Sequence, residues 1–409
     1  MKSHRPIVSR LSDRESVSDP ASDLLLWCAR AFVAGEGSAA YAAAVPVEAL
    51  GDRSWSQFLR EGLRHSMLPL AWRTLESTTA DLPKLVAQDL SAAFEQNTRR
   101  NLWLAAELLK VLDTFRSAGI AAVPWKGPLL AERGYGDIRL RQFFDLDVLV
   151  RRADLGAARE LMLANGFRPE KPMTQAQEDT YVEHQGELEL VRESDGLWLE
   201  LHTAIVPTYY GRGRTSEDLW ERLRPATLAR VTLSALDTVD ELEALCVHGS
   251  KHRWDRLAWI VDVAVMSRLV DTRGWQRLLT GSRRNGTRRM VHIGLLLAVD
   301  VVGARVPDWV EADARADGPA RVLAAQARDL LFDPRPSRFD ALLFHARMRE
   351  RQRDRARYLL NVLFAPSGAD WDALALPRPL FPLYALTRPV RLAFKYGRRL
   401  LVGGSVPDR

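Results

Sequence analysis

The chain has 409 residues, 47% apolar and 27% charged, the balance of an ordinary globular protein with length for two or three domains. Two cysteines, Cys28 and Cys246, exclude a disulfide framework and a thiolate zinc site and fit a reducing, cytoplasmic setting. The net charge of +6 belongs to one end: residues 333–409 hold 15 Arg and Lys against 7 Asp and Glu, so no strong nucleic-acid signal extends across the body.

No uninterrupted apolar run is long enough to span a bilayer. Residues 1–20 are polar and Ser-rich without an apolar h-region, and read as a disordered N-terminus with no signal peptide. Residues 21–119 read as an N-terminal helical domain. "SDLLLWCARAFV" begins at a Ser22 cap, and "SWSQFLREGLRHSMLPLAWRTLE" keeps apolar spacings of three and four. A long helix follows, with Leu90, Phe94, Leu102, Ala105, Leu108, Leu109, Leu112 and Phe115 on one stripe, stopping at Gly119.

The periodicity then changes. "IAAVPW" is a short β-branched and aromatic run, and Lys126-Gly127-Pro128 is a turn opening a helix, with Pro suited to the first helical position. "FFDLDVLV" reads as a strand, with Phe144, Leu146 and Val148 facing one way and Asp145 and Asp147 the other. Asp154 is placed to cap "LGAARELMLANGF", which stops at Asn165-Gly166. "GELELVRESDGLWLELHTAI" is a hairpin about Ser194-Asp195-Gly196, and Trp198, Glu200 and His202 share one face of its second strand. Residues 120–206 thus read as a compact α+β core.

Asp145 and Asp147 side by side repel unless something positive stands near them. If the second hairpin strand lies beside theirs, Glu200 supplies a third carboxylate, and three such groups suit Mg²⁺ or Mn²⁺. Lys126, beside a glycine turn, and Arg141, four residues before Asp145, are suited to phosphate.

From about 217 the pattern is helical again, giving a C-terminal helical domain over 207–332. His248 and His252 are four apart, but Gly249 occupies the slot where a zinc protease needs Glu, so a structural or supporting role is expected. Lys251, His252 and Trp254 are candidates to line a nucleotide cleft from this side. "GEGS" at 35–38 is a lone Gly-x-Gly outside a strand–helix turn, and there is no P-loop and no nucleophile elbow. The tail, 333–409, is basic, helical and Pro-rich. Arg391, Lys395, Arg398 and Arg399 fall on one face with Val390, Phe394 and Leu401 opposite; packing through that stripe is expected, with weak peripheral membrane contact as the alternative.

The runs "WKGPLLAERGYGDIRLRQFFDLDVLV", "DLGAARELMLANGF" and "LWLELH" together resemble the uncharacterised nucleotidyltransferase-like family of the DNA polymerase β superfamily. That family's pattern is Lys-Gly, then Tyr and Arg, then Asp-φ-Asp-φ-φ-Val (φ is apolar), then an acidic residue two before a His. It falls on Lys126, Gly127, Tyr135, Arg141, Asp145, Asp147, Glu200 and His202. The resemblance implies a small mixed-sheet core flanked by helical regions. It also implies transfer of a nucleoside monophosphate, AMP from ATP, to a hydroxyl or phosphate on an acceptor that is a small molecule, peptide or saccharide. Asp145, Asp147 and Glu200 would be the catalytic and metal-holding acids. Lys126, Gly127, Tyr135 and Arg141 would serve the nucleotide, with His202, Lys251 and His252 in support. Two departures stand out: Gly127-Pro128 replaces the superfamily's Gly-Ser turn, removing a hydroxyl and an N–H donor, and Glu200 stands where Asp is commoner. A catalytically silent binding protein and a kinase moving the γ-phosphate remain the alternatives.

Overall fold

The computed structural model describes residues 19–35, 47, 50–78, 81–206, 210, 216–332 and 338–402. The expected disordered segment, apart from its last two residues, and most of "GEGS" lie outside the described residues. Among the described residues four helices come first: α1 (Pro20–Ala34), α2 (Asp52–Arg64), α3 (Leu68–Glu76) and the long α4 (Lys84–Ser117). Asp19, not Ser22, caps α1: its side chain accepts the Ala21 N–H and the Ser22 hydroxyl. Along α4 the inward stripe is Leu90, Asn97, Asn101, Leu104, Leu108, Val111 and Phe115, whereas Leu102, expected on it, is exposed.

The α+β core follows: β1 (Ala122–Pro124), the single-turn α5 (Gly127–Leu130), a π-helical turn over Ala131–Tyr135, β2 (Asp145–Val150), α6 (Leu155–Ala164), β3 (Phe167–Pro169), α7 (Gln175–Gln185), β4 (Glu187–Arg192) and β5 (Trp198–His202). Its five-stranded sheet has the order β1-β2-β5-β4-β3. β2 and β5 run parallel and the other neighbours antiparallel, so the sheet is mixed. The β4–β5 pair is the expected hairpin. Asp154 precedes α6 as expected but makes no side-chain cap hydrogen bond there. Phe144 lies outside β2 and is exposed under the Arg100 guanidinium rather than turned to the core.

Alternation on β2 and β5 decides what is buried. Leu146, Val148 and Val150, with Leu199 and Leu201, face α4 and pack with Leu104, Leu108 and Phe115. Each such side chain contributes about 1.5–3 kcal/mol by leaving water, which anchors the sheet to α4 and turns its other face toward the site.

The stretch expected to be helical from 217 instead contains a hairpin, β6 (Arg224–Leu228) and β7 (Val231–Ala235). Its turn residues Ala229 and Arg230 both have positive φ, +48° and +67°. After it come α8 (Thr238–Lys251), α9 (Leu257–Ser267), α10 (Thr272–Asn285), α11 (Arg288–Val302), α12 (Asp308–Ala316) and α13 (Gly318–Leu331). Leu24, Phe58 and Leu70 of the first helices share one core with Val247, Ile260, Ile293 and Leu323 of this group. The two helical stretches flanking the sheet therefore form one body. Cys28 and Cys246 are buried free thiols within it.

The tail forms α14 (Arg338–Arg347), α15 (Gln352–Phe364), α16 (Gly368–Ala373) and α17 (Tyr384–Val402). Asp370 anchors α17 by ion pairs to Arg388 and Arg391. The expected packing of α17 through Val390 and Phe394 does not occur, since both are exposed; the side chains of Arg398, Arg399 and Leu401 lie outside the described residues. No described helix is long and apolar enough to cross a membrane.

Candidate functional site

The parallel register sets Asp147 opposite Glu200, Asp145 opposite Trp198 and Leu149 opposite His202. Residues paired across neighbouring strands point to the same face, so Asp145, Asp147, Glu200 and His202 converge on the side away from α4. The antiparallel register of β4 adds Glu187 opposite His202 and Glu189 opposite Glu200. The sheet therefore carries five carboxylates on one face. Glu187 and Glu189 were not singled out in the sequence, although their period of two in "ELEL" was legible there.

Asp147, 5% exposed, is met by the Lys126 Nζ at 3.3 Å and by His202 Nε2 at 2.9 Å. His202 also reaches Glu200 Oε2 at 3.3 Å and Glu187 Oε2 at 3.7 Å. Burial works to raise the Asp147 carboxyl, but the Lys126 charge and the His202 hydrogen bond hold it well below the usual carboxylate range. Burial likewise opposes a charged His202, and is outweighed by hydrogen bonds to Asp147 and Glu200 that push it up to about 9. At Asp145 burial, then the Asp147 and Glu200 charges, outweigh the pull of Lys126 and Arg141 and push it up to about 6. Within the chain, then, Lys126 and an imidazolium at His202 offset the acids' repulsion.

Ligand atoms of Asp147, Glu200 and His202 all lie within 4.8 Å of one another, a spread one divalent cation can bridge with small side-chain shifts. Asp147 and Glu200, with Asp145 on the same face, form an oxygen donor set that suits Mg²⁺ or Mn²⁺, and His202 holds two of these acids by its hydrogen bonds. The residues fit the group.

Two local devices hold the site in place. Lys126 itself takes φ +54°, ψ −141°, a region costly for a residue with a Cβ, and Gly127 follows at φ +43°. This kink turns the chain from β1 into α5 and lays the Lys126 ammonium 3.9 Å above the Trp125 ring, while that ring packs edge-on against His202. The loop before β2 is held by α4. Asn97 donates to the Arg139 carbonyl at 2.7 Å, Asn101 to those of Ile138 and Arg141 at 2.6 and 2.7 Å, and Arg100 to that of Phe143 at 3.1 Å.

Arg141 and Tyr135, expected at the nucleotide, converge on Asp262 of α9. The guanidinium makes two parallel bonds of 2.9 and 3.0 Å, and the Tyr135 hydroxyl donates at 2.6 Å. All three groups are buried. This network clamps the sheet's loop onto the helical body, with two of the Arg141 nitrogens engaged by Asp262. Asp262 was not foreseen; it lies 121 residues from Arg141, beyond the reach of local spacing.

The acidic face opens into a cleft of about 340 Å³ between the sheet and the end of α8. The sheet side contributes Asp145, Glu187, Glu189, Glu200, His202 and, just after β1, Lys126, and the end of α8 contributes His248, Lys251 and His252. Lys251 and His252 are where the sequence placed them; Trp254 is instead fully buried against Gly249. Lys251 Nζ stands 3.7 Å from Glu187. His248 and His252 pack against each other with tilted rings, His248 meets Trp259 edge-on, and His252 meets it tilted. Burial, aided by Lys251 and Lys126, pushes His252 down to about 3 and, aided by Lys126, His248 well below its usual value. Both imidazoles are held by ring contacts beside the cleft.

A mixed sheet that carries paired aspartates beside a third acid, set among helices that close over it, defines a nucleotidyltransferase-type α+β enzyme core. The chain belongs to the uncharacterised nucleotidyltransferase family, whose model matches residues 51–303. That span includes the sheet, the cleft and most of the helical body, and leaves the basic tail outside it. A search of curated proteins finds no match to the chain.

Proposed function

We propose that the cleft transfers a nucleoside monophosphate, AMP from ATP, to a hydroxyl or phosphate of an acceptor and releases pyrophosphate. The observation that carries this reading is the register pairing Asp147 with Glu200 on the same sheet face as Asp145, where Asp145 and Glu200 line a cleft together with Lys126 and Lys251. A divalent cation held by Asp145, Asp147 and Glu200 would supply charge neutralisation for the triphosphate and the pyrophosphate leaving group. His202 positions Asp147 and Glu200 by its hydrogen bonds. Lys126, released from Asp147 when that charge is met elsewhere, is within reach of the phosphates, with Gly127 giving the backbone a close approach.

The acceptor oxygen attacks the α-phosphorus and the bond to the bridging oxygen breaks. Pyrophosphate leaves with the electron pair, and Glu200 accepts the proton of a hydroxyl acceptor. Tyr135 and Arg141 act through Asp262 as positioning residues. The donor and the acceptor classes (small molecule, peptide or saccharide) are those the family resemblance implies.

One feature favours a second reading, a silent nucleotide-fold binding protein: Pro128 supplies neither the hydroxyl nor the N–H that a Gly-Ser turn gives to phosphate. Calorimetric titration separates the two. Transfer activity requires ATP binding that strengthens with Mg²⁺ and weakens in Asp147→Asn; no Mg²⁺-assisted binding of any nucleoside triphosphate selects the silent reading.

A further inference from the structure

Twenty large apolar side chains are left exposed among the described residues, and ten of them fall between Leu359 and Phe394. This concentration is far above the scatter of single apolar residues that every surface carries. They are ordered, not scattered. Leu383, just before α17, and Leu386, Val390 and Phe394 on it follow one another at helical spacing, and the last three are 67%, 55% and 71% exposed. On α15, Leu360, Leu363 and Phe364 continue a stripe that begins at the exposed Arg353 and Arg357. The two helices are joined by the Arg388 Nε, which donates to the Val362 carbonyl at 2.9 Å.

The charge of this stretch is predominantly positive. Residues 351–409 hold 11 Arg and Lys against 4 Asp. One of the four, Asp370, is buried and consumed by Arg388 and Arg391. Another, Asp354, is buried beside Arg353 and Arg357. Among the described residues of this stretch, Arg353, Arg357, Arg378 and Lys395 are exposed against one exposed acid, Asp372, and Lys395 lies one residue beyond Phe394. An apolar stripe bordered by Lys and Arg matches the boundary of an anionic bilayer: apolar side chains enter the acyl region while the cations stay with the headgroups. A self-associating surface would bring these like charges together, and a nucleic acid would leave the apolar stripes uncovered.

We propose that α15 and α17 form a docking surface for membranes that contain anionic phospholipid, holding the enzyme on the bilayer without crossing it. The inference rests on the tail alone and is independent of what the cleft transfers.

The test is flotation of the full chain with vesicles of phosphatidylcholine, and of phosphatidylcholine mixed with phosphatidylglycerol, at low and high salt. The chain should float with the mixed vesicles, far less with the neutral ones, and less as salt rises. Leu386→Ser, Val390→Ser and Phe394→Ser combined should weaken partition about tenfold or more, and Lys395→Glu should weaken it about fivefold or more. All four positions are exposed, so the melting temperature serves as a control for folding and should stay constant. Flotation unchanged by the triple substitution, absent from both vesicle types, or equal on both would overturn the proposal. So would a triple variant that changes a dimer to a monomer in light scattering without any lipid binding, which would assign the surface to a second copy.

Discussion

Lys126→Met removes one of the two cations that face Asp147 and leaves the methylene stem to fill its place. At 3.3 Å the attraction is on the order of 5 kcal/mol for an effective dielectric near 20, and the variant recovers part of that by no longer burying an ammonium. Removing one partner of a buried pair costs about 3–5 kcal/mol. Because His202 still donates to Asp147 at 2.9 Å, the lower end applies, about 3 kcal/mol. Urea unfolding in the presence of a chelator should show a lower midpoint with an unchanged slope. Excess Mg²⁺ should then stabilise the variant more than the parent chain, because a cation bound at the acids supplies the missing charge and binding to the folded state adds stability by mass action. A loss below about 1 kcal/mol, or an equal effect of Mg²⁺ on both proteins, would refute the view that Lys126 is the internal counter-ion of a cation site.

Further expectations come from the surroundings. Asp262→Ala strands the buried Arg141 guanidinium and should cost about 3–5 kcal/mol in unfolding free energy, with Arg141→Met combined with Asp262→Leu costing less than the single change; equal losses would show that the pair is not coupled. His65 is fully buried with its Nδ1 accepting the Leu257 N–H at 3.0 Å, and burial, then Arg64 and Arg256, push it down to about 3. Its folded value lies below its unfolded value, so its contribution to stability is full at neutral pH and drains away as pH falls toward 3. That loss runs at up to about 1.4 kcal/mol per pH unit, and His65→Gln should flatten the acid side of a melting-temperature profile. Gly249→Ala places a methyl into the Trp254 ring and should lower the melting temperature by the equivalent of about 1–3 kcal/mol.

Some of this was written locally and some was not. The acids were legible because a strand's period of two puts Asp145 and Asp147 on one face, and the same rule finds Glu200 and His202. Their convergence needed only that β2 and β5 be neighbours. The hairpin at 224–235 was hidden because its turn uses Ala229 and Arg230 in a positive-φ conformation that sequence reading assigns to Gly or Asn. The α4 stripe was misjudged because Asn97 and Asn101 occupy inward positions to hold backbone carbonyls, and polar residues read as outward. Asp262 could not be seen at all, since a salt bridge between distant segments leaves no periodic trace. The tail misled in the opposite sense: the apolar stripe on α17 is real, but no part of the described chain covers Val390 and Phe394.

Incubation with ATP labelled at the α-phosphorus, Mg²⁺ and a panel of hydroxyl and phosphate acceptors tests the chemistry most directly. The intact chain should release unlabelled pyrophosphate and leave label on an acceptor, and both signals should vanish in Asp145→Ala and in Glu200→Gln. Label transfer that survives Asp145→Ala, or release of ADP in place of pyrophosphate, would contradict nucleotidyl transfer by the acids of β2 and β5.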